Sequence, residues 1–588
     1  MAKKRVILDY TPSVYQEKIF DFVEHGVGNA VISATAGSGK TSTIVSAMKY
    51  IPSSHKCLFI AFNKSIVAEL DSRLTNKHTN VKVRTAHSLG YTIVRNAFDN
   101  VPKDDYKYRT YVKNNILSLS NVSDCQLNKR EVAAYIERIC FLIDYARFNM
   151  AQSVKEITQV AEKYSIACDY DECNVVYKCL EWGKEHVETV DFTDMIWLPV
   201  ELDLSFRGNR YDWVIIDEAQ DLSLLDIQLF LKCFKRGTRF IAVGDKNQSI
   251  NQFAGASEEA FEYLCNYPNT TVFSLPVSYR CDKVITELAQ TFVPEMLYRD
   301  DAGEGEIIDN YSYKKLKGGD MVLSRTKAPL FQLYMKMLTR GMNCFIKGQD
   351  IGKNLDSLLH SIDKKELNVR LEDDGVFVRL YDHLFSERNK LMQIRGLDFE
   401  DATLSEPILN LYDSIATLEA LSDRLHTKNE LIHRLERVFV EDEDAICLST
   451  IHKSKGLEAD NVYILCHSAL PAHGGNQPWE QEQERNLVYV AYTRARKRLG
   501  FISEKEIPPS ARLLAGENVL TDLINIEKRV CNILNKKPTE HVQTEEMARF
   551  QARAFRSMNN ITSNDNIVEI TSQTKKNNLL MELNEIGD

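Results

Sequence analysis

The chain has 588 residues and a mass of 67.4 kDa, which is too long for a single hydrophobic core, so several domains are expected. Hydrophobic residues make up 44% and charged residues 27% of the sequence, as in soluble globular proteins, and no apolar run approaches the roughly 18 residues that a membrane span needs. The net charge of −10 argues against a protein coated in nucleic acid, although a single groove can still be basic on an acidic protein.

The thirteen cysteines are scattered without a disulfide framework, which indicates reduced thiols and an intracellular location, cytoplasmic or nuclear. The first ten residues, MAKKRVILDY, lack a long apolar stretch, so we expect no secretory signal. One cysteine cluster can be interpreted as a metal or iron-sulfur site or as ordinary half-buried thiols in a helical region. Its spacing matches no short-paired zinc pattern, which favours the thiols. The cluster comprises Cys168, Cys173, Cys179 and His186.

The first motif in chain order, ISATAGSGKTSTIV (residues 32–45), predicts a buried strand, a glycine turn and a helix that begins near Lys40. Glycines can take backbone angles closed to other residues, so the successive amides of the turn can converge on a phosphate at the helix N-terminus. Lys40 is expected to reach the β and γ phosphates, and the Thr41 hydroxyl to hold magnesium. The alternative is a chance Gly-Lys-Thr turn, and the usual pattern has glycine where Ala34 stands. The predicted ATP-binding residues of the turn are Ala34, Thr35, Ala36, Gly37, Ser38, Gly39, Lys40 and Thr41.

The second motif, YDWVIIDEAQD (residues 211–221), is a β-branched run that ends in two acids. A parallel strand places Asp217 at its carboxyl edge, where ligands bind in open α/β sheets. Asp217 is therefore expected to hold magnesium, and Glu218 to orient or deprotonate the attacking water. An acidic N-cap of the next helix is the alternative. Together with the phosphate turn, the motif predicts a nucleoside triphosphate hydrolase.

Four later segments distinguish among such hydrolases. One carries Gln248, placed to sense a γ-phosphate, and the next carries Tyr279 and Arg280. The segments are FIAVGDKNQSINQFAGA (residues 240–256), LPVSYRCD (275–282), LSTIHKSKGLEADNVYIL (448–465) and ERNLVYVAYTRARKRL (484–499).

In this order, over roughly residues 10–505, the motifs resemble those of the UvrD/Rep family of superfamily 1 DNA helicases. Two further segments, FIAFNKSIVAEL (residues 59–70) and RTAHSLGY (84–91), resemble the F-box DNA helicase branch more closely. Only a few residues precede the first motif, so we expect no F-box.

The resemblance implies a role for each matched residue. Gln16 would read adenine with its two-sided amide, and Tyr279 would stack on the base. Glu458 would accept a hydrogen bond from the ribose. Arg280 and Arg494 would act as arginine fingers on the γ-phosphate, although a surface salt bridge is the alternative for either one alone. Lys40, Glu218, Gln248, Arg280 and Arg494 are the predicted catalytic residues.

The resemblance also implies contacts to single-stranded DNA that combine base stacking with hydrogen bonds to the backbone. Phe62 and Phe253 match stacking aromatics, whereas Asn63, Thr85 and His87 are polar groups at predicted loop positions. Phe62 as a core aromatic and His87 as a packed or capping histidine are the alternatives.

Two positions depart from the family pattern. Asn251 stands where a tyrosine is common, and Ala254 where an arginine is common. One stacking surface and one cation are therefore expected to be missing from the DNA track.

The implied fold is α/β, with two RecA-like parallel-sheet motor domains that are each interrupted by a mainly helical insertion. We predict the first motor domain in residues 1–90 and 191–278 with its insertion at 91–190, the second in 279–348 and 447–515 with its insertion at 349–446, and a polar C-terminal tail at 516–588. The tail is a candidate site for a protein partner, with a loosely ordered end as the alternative.

The predicted function is an ATP- and magnesium-dependent translocase on single-stranded DNA and single/double-strand junctions, with no membrane partner. It would move 3′ to 5′ and unwind duplex or displace bound proteins during replication, recombination or repair. An RNA-directed motor and a nucleotide-gated DNA-binding scaffold are the alternatives, because stacking aromatics do not separate DNA from RNA. The intact set of catalytic residues argues against the scaffold.

Overall fold

The computed structural model describes fifteen segments of the chain. They are residues 10–61, 67, 80–99, 101–119, 129–164, 166, 168–206, 210–250, 258–362, 370–371, 375–395, 397–442, 444–471, 478–507 and 516–536. No helix within these segments is both long and apolar enough to cross a membrane.

The first sheet contains six parallel strands. In chain order they are β1 (Asn29–Ala34), β2 (Cys57–Ile60), β3 (Val81–Arg84), β4 (Tyr211–Ile216), β5 (Phe234–Gly244) and β6 (Thr270–Leu275). They pair in the order β3-β2-β4-β5-β1-β6. Strands β1 and β4 are buried along almost their whole length, as expected where helices cover both faces of a parallel sheet. All six carboxyl ends meet at one edge, which is where Asp217 follows β4.

The second sheet is also parallel and six-stranded. A short ribbon of β7 (Val277–Ser278) and β8 (Leu297–Tyr298) precedes it. Its strands are β9 (Glu306–Tyr311), β10 (Met321–Ser324), β11 (Cys344–Ile346), β12 (Ile446–Thr450), β13 (Ala459–Ile464) and β14 (Ala495–Ile502), in the order β11-β12-β10-β13-β14-β9. The two sheets confirm the predicted α/β class with two RecA-like lobes.

The helices of the first lobe flank its sheet or lie between β3 and β4. Helix α1 begins with a reciprocal capping box between Ser13 and Gln16, as its sequence favours. The helices are α1 (Val14–His25), α2 (Lys40–Ala47), α3 (Ala86–Phe98), α4 (Lys107–Leu119), α5 (Lys129–Phe148), α6 (Val154–Lys163), α7 (Tyr170–Glu185), α8 (Asp194–Glu201), α9 (Leu224–Leu231) and α10 (Glu258–Cys265).

The helices between β3 and β4 share one hydrophobic core with the sheet. Val31 and Leu58 of the sheet belong to the same buried cluster as Ile139 and Leu142 of α5. Each of these side chains is fully buried. The helical insertion is therefore packed against the first sheet along a continuous apolar interface.

A buried ionic network reinforces that interface. The guanidinium of Arg147, on α5, donates to Asp191 Oδ1 and Asp194 Oδ1 at 2.9 and 2.7 Å. Lys107 Nζ donates to Asp194 Oδ2 at 2.7 Å, and the Tyr108 hydroxyl donates to Oδ1 at 2.9 Å. Paired in this way, the charges of α4, α5 and the start of α8 satisfy one another away from water.

The helices of the second lobe include a bundle between β11 and β12. They are α11 (Lys283–Ala289), α12 (Ala328–Leu338), α13 (Gln349–Ile362), α14 (Val376–Arg395), α15 (Phe399–Leu404), α16 (Glu406–Leu421), α17 (Lys428–Val438), α18 (Pro478–Tyr492) and α19 (Gly516–Ile533).

The last of these helices differs from the predicted polar tail. Val519, Leu523 and Val530 are spaced for one helical face and lie in the second core cluster, and Glu527 pairs with the buried Arg388 at 2.8 Å. The core of the second lobe therefore extends into residues 516–536, because this face is apolar although the segment is polar on average. Residues 537–588, the rest of the candidate partner site, lie outside the described residues, and the other domain boundaries stay predictions.

Candidate active site

The phosphate turn lies between β1 and α2 at the carboxyl edge of the first sheet. Gly37 and Gly39 have φ angles of 72° and 75°, in the left-handed region that favours glycine. A Cβ on Gly39 would meet no atom within 4 Å, so the space in front of the helix N-terminus is open. The Ser38 hydroxyl is buried and has no hydrogen-bond partner. An open cradle with an unsatisfied hydroxyl fits a phosphate.

The end of β1 leads directly into this turn. Ala34 is its last residue, and the Thr35 hydroxyl donates to Pro276 O at 3.0 Å. The Ala36 amide donates to the Tyr489 hydroxyl of the second lobe at 2.8 Å. The turn is thus anchored on both sides, and its roles in ATP binding stay predictions.

The two predicted acids lie beside the turn. Thr41 Oγ1 donates to Asp217 Oδ2 at 2.7 Å, and Lys40 Nζ lies 3.5 Å from Glu218 Oε2. Gln220 Nε2 donates to the same Glu218 oxygen at 2.6 Å. Glu218 has a φ of 52°, an uncommon backbone angle for a residue with a side chain. The strained turn after β4 aims both carboxylates toward α2.

The two acids differ in proton affinity. Burial and the neighbouring Glu218 carboxylate raise the pKa of Asp217. Burial also opposes the charge of Glu218, but the ammonium groups of Lys40 and Lys455 outweigh it and lower the pKa of Glu218. These surroundings favour the ionised form of Glu218, which is the form that can accept a proton.

A hydroxyl and a carboxylate in contact, Thr41 and Asp217, suit magnesium, which takes few protein ligands and keeps several waters. For comparison, the described segments hold no group of three or more His, Cys, Asp or Glu side chains arranged for a metal. In the cysteine cluster, Cys168 Sγ and Cys173 Sγ lie 3.0 Å apart at the start of α7.

The second lobe reaches the turn through the segment after β7. The Tyr279 amide donates to Gly37 O at 2.9 Å, and the Tyr279 side chain is 41% exposed, which leaves its ring free to stack on a ligand. A Cβ on Gly37 would lie 2.6 Å from Arg280 Cβ. The backbone that carries Arg280 therefore touches the phosphate turn.

Arg280 and Glu458 are paired with each other. Arg280 Nε donates to Glu458, and Arg280 Nη1 donates to Thr493 O at 3.0 Å. Arg496 Nη2 donates to the other Glu458 oxygen at 2.5 Å. The arginine and the acid that the sequence assigns to γ-phosphate and ribose lie within one ion-pair cluster, and both roles stay predictions.

Arg494 lies deeper, at the junction of the lobes. It is 1% exposed, and its Nη2 donates to Gln248 Oε1 at 3.4 Å. Gln248 Nε2 in turn donates to Asp245 Oδ2 at 2.6 Å, just after β5. The predicted finger and the predicted phosphate sensor are thus in contact across the cleft.

Gln16, the predicted adenine reader, is buried, and its amide has partners at both ends. Its Nε2 donates to Thr43 Oγ1 at 2.8 Å, and its Oε1 accepts from the Ser13 amide at 3.0 Å. The side chain is fixed behind the phosphate turn, beside α2.

Three further residues at the cleft were missed by the motif analysis. Lys455 Nζ donates to both Asp221 oxygens at 2.6 and 2.8 Å and to Gln248 O at 2.8 Å, which joins the lobes. Tyr489, on α18, contacts the turn itself. All three stood inside quoted motifs, Asp221 as the last acid of DEAQD and Lys455 in HKSKG. A buried acid without a local cation was the signal that could have found the pair.

The predicted DNA contacts are described only in part. The Thr85 side chain caps α3 by accepting from the Ser88 amide at 3.2 Å, and His87 lies in the first turn of that helix and not in a loop. The His87 ring stacks on Phe192 at 3.7 Å, and its buried Nε2 has no hydrogen-bond partner. Burial, and then Lys103, lower the pKa of His87 to about 4. Phe62, Asn63 and Phe253 lie outside the described residues.

Fold and site together define a nucleotide hydrolase whose phosphate turn and arginine side chains come from different lobes. Two family models match the chain: that of the UvrD/REP helicase N-terminal domain at residues 15–267, and that of the UvrD-like helicase C-terminal domain at residues 445–502. Together they cover more than half of the sequence.

Three relatives show how far the similarity extends. ATP-dependent DNA helicase Rep of Buchnera aphidicola is 21% identical over 82% of this chain and 93% of its own length. ATP-dependent DNA helicase PcrA of Bacillus subtilis is 21% identical over 88% of this chain and 87% of its own. F-box DNA helicase 1 of Gallus gallus is 26% identical over 83% of this chain and 48% of its own, so the chain spans about half of that relative.

The chain belongs to the UvrD/Rep family of superfamily 1 helicases, and it is therefore an ATP-hydrolysing enzyme.

Proposed function

We propose that this protein is an ATP-dependent translocase and helicase that moves 3′ to 5′ on single-stranded DNA. It unwinds duplex at single/double-strand junctions or displaces bound proteins in replication, recombination or repair. The observation that carries the proposal is the nucleotide cleft, where Lys40 and Glu218 lie 3.5 Å apart on the first lobe. From the second lobe, Arg494 contacts Gln248 and the backbone of Arg280 touches the phosphate turn. A site divided between two lobes lets the state of the nucleotide set their separation.

The residues of the first lobe bind the nucleotide and activate the attacking water. The amides of the turn and Lys40 hold the phosphates, while Thr41 and Asp217 hold Mg²⁺, which supplies charge neutralisation at the terminal phosphate. Glu218, whose pKa is lowered by Lys40 and Lys455, orients the water and accepts its proton.

Gln248 of the first lobe and two arginines of the second lobe complete the site. Gln248 is held between Asp245 and Arg494, so it can register whether a terminal phosphate is present. Arg280 and Arg494 stabilise the charge that develops in the transition state, a contribution of about 10³-fold or more in comparable enzymes. To do so, Arg280 exchanges part of its contact with Glu458 for the phosphate.

Closure and opening of the cleft move the strand. Thr85 and His87, with the predicted contacts Phe62, Asn63 and Phe253, form the track on the first lobe. Stacking and backbone contacts carry no sequence preference, as a motor requires.

Duplexes with a 3′ or a 5′ single-stranded tail test motor action and direction together. Strand separation that requires ATP, Mg²⁺ and a 3′ tail supports the proposal. Equal unwinding from both tails contradicts the direction, and no unwinding or protein displacement with either contradicts the motor.

Hydrolysis assays with matched oligonucleotides test the polymer. We expect single-stranded DNA to stimulate ATP hydrolysis strongly and RNA of the same sequence to do so weakly. Stronger stimulation by RNA would assign the motor to RNA, while ATP binding without turnover would indicate a gated scaffold.

A further inference from the structure

Tyr489 connects the second lobe directly to the phosphate turn. It lies on α18 and is fully buried. Its ring packs in a small cluster that contains Ala36 of the turn together with Val293 and Met296 of the second lobe. The ring therefore packs between the two lobes.

The Tyr489 hydroxyl uses both of its hydrogen-bonding capacities there. It accepts from the Ala36 backbone amide at 2.8 Å. It donates toward Asp245 Oδ2 at 3.4 Å, with Met296 Sδ at 3.8 Å. Burial raises the pKa of Tyr489 well above its usual range, so the hydroxyl keeps its proton.

Asp245 links the Tyr489 hydroxyl to Gln248. The same Oδ2 atom accepts from Gln248 Nε2 at 2.6 Å, and Gln248 Oε1 accepts from Arg494 Nη2 at 3.4 Å. A continuous chain of hydrogen bonds thus runs from the Ala36 amide through Tyr489 to the predicted sensor and finger.

Helix α18 also links these residues through the backbone. Arg494 follows Tyr489 by five residues, and Asn486, one turn before it, donates from Nδ2 to Ser249 O of the first lobe at 3.0 Å. Any change in the turn that moves the Ala36 amide therefore acts on the helix that ends two residues before Arg494.

We propose that Tyr489 is a positioning residue that couples the shape of the phosphate turn to the placement of Gln248 and Arg494. It touches no reacting atom. It fixes the positions of the turn, Gln248 and Arg494 relative to one another when the cleft is closed. The inference rests on the proposed function, because it concerns how the phosphate turn is linked to the residues of the second lobe.

The test is Tyr489→Phe, which removes the hydroxyl and keeps the ring. We expect kcat for ATP hydrolysis to fall about tenfold, the effect of about one lost hydrogen bond, while KM for ATP stays within about twofold. A residue that only supported the fold would lower the Tm and leave the kcat of the folded fraction unchanged.

Tyr492→Phe is the matched control. Tyr492 lies on the same helix, and its hydroxyl bonds His467 Nε2 at 2.7 Å within the second lobe. Its loss is expected to leave kcat within about twofold of the wild type, because no hydrogen bond across the cleft is removed.

The outcomes separate this inference from the proposed function. Wild-type kcat in Tyr489→Phe, or an equal fall in both variants, overturns the inference. So does a fall in kcat that matches the loss of folded protein. Both variants are measured with and without DNA, so if DNA fails to stimulate the wild type the proposed function fails, while the basal kcat ratio still decides the role of Tyr489.

Discussion

The first lobe meets its two neighbours through interfaces that differ in how much apolar surface they bury. Toward the helical insertion it has a continuous apolar core and the buried network around Arg147. Toward the second lobe it has polar contacts, among them Lys455 with Asp221 and Arg494 with Gln248, and a small apolar cluster around Ala36 and Tyr489. The first interface would expose apolar surface and unpaired charge on opening, whereas the second can exchange its hydrogen bonds for those of a nucleotide.

The difference indicates where motion belongs in this molecule. An interface that must open in each ATP cycle cannot be stabilised by a large buried core. The interface with the insertion, which buries apolar surface and paired charges, is expected to stay closed. Variants in the two places should therefore separate turnover from stability.

The largest effect is expected from the cleft, with Lys40→Ala or Glu218→Gln. Each removes one charge of the 3.5 Å pair at the phosphate turn, and kcat is expected to fall by about 10³-fold, as when charge stabilisation or a general base is lost. The Tm should stay within a few degrees. Steady-state ATPase and thermal unfolding are the measurements, and normal turnover in both variants would refute the site assignment.

The second effect is expected at the insertion, with Arg147→Met. This change leaves Asp191 and Asp194 buried with less countercharge, and we expect a loss of about 3 kcal/mol of unfolding free energy, measured by urea denaturation.

Arg109→Met is the matched control for Arg147→Met. Its pair with Glu137 is exposed, with side-chain exposures of 46% and 64%. The expected cost is below about 1 kcal/mol. Equal costs at the two arginines would contradict the contrast between the interfaces.

A smaller effect is expected from pH at the same interface. The pKa of His87, lowered to about 4 by burial and by Lys103, lies below that of the unfolded chain, about 6.5. The unfolded state therefore binds the proton first. The contribution of His87 is complete above pH 6.5 and is lost as the pH falls toward 4, by no more than about 3 kcal/mol.

His87→Phe should flatten this pH dependence, because the aromatic contact with Phe192 remains while the titrating group is gone. Denaturation midpoints between pH 7 and 4 are the measurement. The same slope in variant and wild type would show that other groups carry the dependence.

Much of the fold and the cleft was predictable because local patterns encode them. The run before Asp217 reads as a buried parallel strand, and the glycines before Lys40 read as a turn that needs left-handed backbone angles. Motif order then implied two lobes, and the two sheets bear this out.

The remainder depends on contacts between distant parts of the sequence. Arg147 and Asp194 are 47 residues apart, and Ala36 and Tyr489 are 453 apart, so neither pair has a local signature. Helix α19 was hidden by its average polarity, since only one face carries Val519 and Leu523. Tertiary packing, not local propensity, decides such elements.

Gly37 has a consequence for experiments on this enzyme. A methyl group there would collide with Arg280 Cβ at 2.6 Å and with Ser278 Oγ at 2.7 Å. Alanine at this position would strain the turn and would also push the segment that carries Arg280 away from the first lobe. We expect Gly37→Ala to hold the cleft partly open, which would provide a trapped state for structure determination.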